Sequence, residues 1–205
     1  MNFFGHAAVA SWRGSDPGVA LGAMLPDFAS MCGGRLAVAS DPAVEIGVEL
    51  HHETDGVFHR LAPVTALMRE LGDRLERGGC ARGPKRAVAH IGVELLLDGV
   101  LVAEPAYRDA YLGGLGHDAS GVAWREPGDG DRFAILIARL RAHGVPDDLR
   151  HPEAIAQRLH RMLSHRPLLA PDARDMQVIR SALVEYQARV EVAADTVMRA
   201  VRAGL

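Results

Sequence analysis

Prolines and glycines cut this chain into segments that carry helical spacing and no strand-like alternation, and this punctuation limits the folds open to it. Asp41-Pro42 puts a capping carboxylate ahead of a proline at the first helical position, with Glu45 following in the first turn. The segment AVEIGVELHHETDGVFHR then runs to about Arg60. Pro63 opens TALMRELGDRLER, whose apolar residues recur at helical spacing until Gly78-Gly79 stops them. Pro84 opens KRAVAHIGVELLLDGVLVA, which ends near Pro105. The stretch from Gly113 to Gly130 is rich in Gly, Asp and Ser and is expected to be a long surface loop, either a lid or a plain excursion. Beyond it lie DRFAILIARLRAHG, HPEAIAQRLHRMLSHR and a long amphipathic stretch from Pro171 to about Ala203. The expectation is an all-α, irregular, single-domain bundle of about seven or eight helices spanning 1-205.

Composition enters as a filter. A chain of 205 residues with 48% hydrophobic content supports a packed core, and its net charge of -3 shows no basic stripe for nucleic acid. No apolar run reaches the ~20 residues that a membrane span needs. The apolar opening to Trp12 contains His6 and has no basic residues ahead of it, so it does not fit a signal segment. Cys32 and Cys80 match no metal or redox spacing and are expected to be reduced. The expected location is the cytoplasm, with neither nucleic acid nor a membrane as partner.

Two segments carry an arrangement with chemical content. One reads His51-x3-Asp55-x3-His59 and the other His90-x3-Glu94-x3-Asp98. Residues four apart stack on one helix face, so each triplet is a stripe of candidate ligands. Such a stripe spans ~12 Å, too long for one ion to touch both ends. The alternatives are two ions sharing a central carboxylate, or one ion with the third residue supporting its ligands. The second stripe lies within AVAHIGVELLLDGVL, a segment apolar on every side and so expected to be buried. Burying Glu94 and Asp98 without a compensating cation costs several kcal/mol each, on the order given by charge-burial arguments. A metal held by both stripes is the economical answer. His52 and Glu53 are expected to be solvated neighbours of the stripe.

His6 and Asp27 join the candidates because each sits in an apolar, small-residue setting. Alone, His6 would be a core histidine and Asp27 a helix cap. Mixed nitrogen and oxygen donors without thiolate suit Mn, Zn or Fe, as one or two ions. Hydrolysis of a phosphoester is the commonest use of such a site. His165 and Arg166 are candidate phosphate-binding residues, with a solvent-facing helix end as their alternative reading.

The motifs Met1-Asn2-Phe3-x-x-His6, Gly22-x-x-Leu25-x-Asp27-Phe28 and Gly47-Val48-x-x-His51-x3-Asp55 together resemble the acyl carrier protein phosphodiesterases. IAQRLHRMLSHRPLL is also similar to theirs, with Arg166-Pro167 in the matching place. The resemblance implies an HD-like, all-helical hydrolase dependent on a divalent metal, often Mn. Such an enzyme releases 4'-phosphopantetheine from acyl carrier protein by cleaving a phosphodiester. It also implies that His6, Asp27, His51 and Asp55 are site residues, with Asp27 and Asp55 catalytic. The chain departs from that pattern at His59, where the family has Asp, and at His90-x3-Glu94-Leu95, where it has Asp-x3-Asp-His. The histidine-rich set is similar to the ligand helices of zinc-dependent phospholipase C enzymes. The substrate is therefore expected to be carrier-bound phosphopantetheine or another small phosphodiester. The rival expectation is a helical protein that binds a metal or a carrier protein without catalysis.

Overall fold

A computed structural model describes residues 1–37 and 41–205. Among these the regular structure is helical: nine α-helices, two 3₁₀ turns, and one isolated bridge between Leu36 and Trp124. The all-α expectation holds, with slightly more helices than the punctuation indicates. No helix among the described residues is long and apolar enough to cross a membrane. Both cysteines are free thiols.

The chain divides into two compact units. The first comprises Met1–Val57, Leu101–Pro146 and Leu205. Its opening helix α1 (Phe3–Ala10) has every residue buried, as a helix apolar on all sides requires. Phe3 packs on Phe28 and Tyr111, and Phe4 on Tyr111, with ring centroids 5.3–5.9 Å apart. Helix α2 (Pro17–Cys32) starts where the Asp16 side chain accepts a hydrogen bond from the Gly18 amide at 2.8 Å and ends at Gly33, whose φ is 67°. Helix α3 (Pro42–Phe58) is capped by Asp41, whose carboxylate accepts from the Ala43 and Val44 amides. This is the cap expected from the sequence.

Glycines set how closely these helices approach. A Cβ on Gly22 would lie 2.1 Å from the Val44 carbonyl oxygen, and one on Gly47 2.3 Å from that of Val19. The two backbones therefore cross in direct contact, an approach open only to glycine. Helix α6 (Pro105–Gly116) uses Gly114 in the same way against α2, where a Cβ would meet Leu21 and Met24. This corrects the expected loop from Gly113 to Gly130. Its first glycines lie inside α6, where Gly114 is a packing position, and α7 (Asp129–His143) begins before its end. The remaining connector, residues 117–128, is pinned by His117 on Asp41 at 2.9 Å and by Trp124 on Phe133. The buried Asp129 carboxylate fixes its far end by accepting from the Arg35 amide at 2.8 Å.

The second unit comprises Phe58–Val100 and Asp147–Gly204. Its members are α4 (Ala62–Arg77), most of α5 (Arg82–Leu101), α8 (Pro152–Leu163) and α9 (Ala173–Gly204). Val64, Leu67, Leu71 and Leu75 form the buried stripe of α4. Helix α9 runs 32 residues, about 48 Å at the α-helical rise, and packs on α4 and α8. Tyr186 of α9 donates from its hydroxyl to the Leu67 carbonyl at 3.0 Å, and Arg189 pairs with Glu70 at 3.0 Å. Residues 92–98 of α5 are buried without interruption, as its apolar sequence requires. Gly99 sits against the Leu149 carbonyl, where a Cβ would lie 2.1 Å away.

Candidate metal centres

In the first unit, α1 supplies His6, α2 supplies Asp27, and α3 supplies His51 and Asp55. One donor atom from each of His6, Asp27 and His51 lies within 4.8 Å of the others. The crossing at Gly22 and Gly47 creates this convergence. It puts His51, one turn beyond Gly47, beside Ala23, whose carbonyl oxygen is 2.9 Å from His51 Nδ1. Pro26 lies inside α2 and, lacking an N–H, cannot bond the Gly22 carbonyl one turn back. The Ala23 oxygen lies in that turn and accepts from the imidazole.

These hydrogen bonds fix the histidine tautomers. A carbonyl oxygen only accepts, so His51 carries its proton on Nδ1 and leaves an Nε2 lone pair. His6 Nε2 lies 3.0 Å from the Met1 carbonyl oxygen and 3.3 Å from Asp55 Oδ1, so its proton is on Nε2. His6 Nδ1 is then a buried lone pair, and it has no hydrogen-bond partner among the described residues. Burial holds both imidazoles neutral: His6 titrates below its ordinary value, and His51 is pushed down to about 3 by burial and then by His6. Neutral imidazole is the form that binds a metal, and an N–H anchored on a backbone carbonyl is the usual support for such a ligand. The two rings stack with centroids 3.8 Å apart.

Asp55 stands at the edge of this group. Its Oδ1 receives the Met1 ammonium at 2.6 Å, its Oδ2 lies 3.8 Å from His51 Nε2, and its side chain is 35% exposed. The geometry makes it a support for His6 and a link to solvent, outside the group of three.

In the second unit a separate trio assembles. His90 Nε2 lies 3.0 Å from Glu94 Oε1, and His59 Nε2 lies 3.7 Å from the same oxygen. One donor atom of each of these residues lies within 4.8 Å of the other two. Glu94 is buried, whereas the His90 side chain is 52% exposed. Burial pushes the Glu94 carboxyl up, yet the His90 hydrogen bond and the imidazoles' charge help to hold it below its ordinary value. Asp98, one turn further along α5, is fully buried and belongs to neither trio. His52 and Glu53 are exposed, as expected. His165 and Arg166 are exposed in the turn after α8 and join neither group.

Sequence reasoning missed a cleft of about 580 Å³ in the first unit. Leu25, Pro26 and Val48 form part of its wall, and Ser30, Glu45, Glu49, His52 and Arg125 are its polar members. Pro26 and His52 are the chain neighbours of Asp27 and His51. The cleft depends on the loop after α2 and on the 117–128 connector, and no local pattern announces it. No family model, curated protein or solved structure matches the chain.

Proposed function

We propose that the protein is a divalent-metal-dependent phosphodiester hydrolase with its metal centre on His6, Asp27 and His51. One observation carries this reading. Two neutral, buried imidazoles, each anchored by backbone, offer donor atoms within 4.8 Å of the half-buried Asp27 carboxylate, and His6 Nδ1 has no hydrogen-bond partner among the described residues. The donor set suits Mn, Zn or Fe. A divalent ion supplies an acidified water and charge neutralisation at phosphoryl oxygens.

The chain's own residues provide the rest. Asp27 and the two imidazoles hold the ion, and Asp55 orients His6 through Nε2. Asp55 Oδ2 is the base we assign, reachable from solvent and close to His51 Nε2. The adjoining cleft accepts the apolar part of a small phosphodiester, such as the 4'-phosphopantetheine arm of an acyl carrier protein. This substrate rests on the family resemblance of the first motifs, as does a cytoplasmic location. The engagement of Asp55 Oδ1 by the Met1 ammonium favours a second reading, a metal- or carrier-binding protein without turnover.

The test is hydrolysis of bis-(p-nitrophenyl) phosphate by stripped protein reloaded with Mn, Zn or Fe. Turnover that Asp55→Ala abolishes while the fold is kept supports the enzyme. Bound metal without turnover under all three ions supports the second reading.

A further inference from the structure

We infer that His59, His90 and Glu94 form a second, solvent-open cation site, selective for a zinc-type ion and assembled entirely within the second unit. The bland alternative is an ordinary i,i+4 hydrogen bond between His90 and Glu94 on α5. Two observations go beyond it. His59 comes from a different part of the chain, just past the end of α3, yet its Nε2 approaches the same Glu94 Oε1 that His90 already contacts. The His59 and His90 rings also meet edge to face at 4.8 Å, so both imidazoles converge on one carboxylate oxygen rather than turning outward.

The character of the trio differs from that of His6, Asp27 and His51, where both histidines are buried. His59 and His90 side chains are 33% and 52% exposed, and that of Glu94 is 10% exposed. Two imidazoles and one carboxylate, with room for water in a fourth position, make the donor set of open zinc sites. A cation there replaces the proton now shared between His90 and Glu94, which offsets the cost of keeping the carboxylate buried. Mg and Ca, which prefer all-oxygen shells, are poorly served by two nitrogens. The inference holds whether or not the trio of His6, Asp27 and His51 supports hydrolysis.

The test uses the full chain, stripped with chelator and then titrated with zinc against a chromophoric competitor, with elemental analysis of the dialysed product. The wild type is expected to hold two zinc ions, and His90→Ala and His59→Gln one each. His51→Ala should also hold one, and this remaining ion should leave rapidly to added chelator. Far-UV circular dichroism checks each variant, and His59→Gln carries the test if His90→Ala does not fold. Two ions retained in both His90→Ala and His59→Gln would overturn the inference. So would a wild type that holds a single ion lost in His51→Ala and kept in His90→Ala and His59→Gln; a single ion with the opposite pattern would support this site and defeat the centre on His6, Asp27 and His51. Two bound ions with no phosphodiester turnover would defeat the hydrolytic reading and leave this one standing.

Discussion

At the residue scale, the site depends on which nitrogen of each histidine carries a proton. Backbone carbonyls and Asp55 decide this, so Asp55 works through His6 more than as a ligand. Asp55→Asn should therefore weaken metal binding about 10–100-fold, the usual cost of losing a group that orients a ligand, with helix content unchanged. Competitive titration reads this directly. An unchanged affinity would make Asp55 a bystander to His6. His51 and Asp55 were legible because four-residue spacing on a helix is a local property. His6 and Asp27 gained weight only beside the two stripes, since a lone histidine or a carboxylate after proline in an apolar segment has no local signature of ligation. The alternating exposure of the second stripe was not legible. His90 is open and Asp98 sealed because packing, not spacing, decides which face of α5 is covered.

At the element scale, the crossing of α2 and α3 holds the site together. Gly47→Ala would put a Cβ 2.3 Å from the Val19 carbonyl and force the two helices apart. The expected cost is about 1–3 kcal/mol, as for overpacked cores, measured as a shift in the urea midpoint. Metal affinity should fall in parallel, because His51 moves away from Ala23. The pairing is invisible in the sequence, where Gly22 and Gly47 are far apart and each resembles a weak spot in a helix. The same ambiguity made Gly113, Gly114 and Gly116 look like loop, although Gly114 is a contact surface of α6. Asp41 gives this scale its pH dependence. The His117 hydrogen bond and the Ala43 and Val44 amides hold its carboxyl below the ordinary 3.8. Its contribution is therefore complete above that value and is lost as pH falls through the lower folded-state value. Asp41→Asn should lower Tm most at neutral pH and flatten its acid limb below about 4, where the wild type has already lost the contribution.

At the scale of the whole molecule, each unit has its own core and its own trio of candidate metal ligands. The helical class was legible because prolines and capping residues mark most of the segment starts. The division into two units was not, since each unit joins distant stretches of chain. Metal should couple to stability: an ion at 100 times its Kd adds about 2.7 kcal/mol to a fold that alone binds it. Chelator should lower Tm, and re-added zinc or manganese should restore it. A Tm indifferent to both would place the histidines among ordinary core residues.

The most direct measurement is anomalous diffraction from crystals of the metal-loaded protein, with data at the absorption edges of Mn, Fe and Zn. The account predicts a peak about 2.0–2.2 Å from His6 Nδ1, His51 Nε2 and an Asp27 carboxylate oxygen. The absence of a peak there, with a water hydrogen-bonded to His6 Nδ1 in its place, would contradict it.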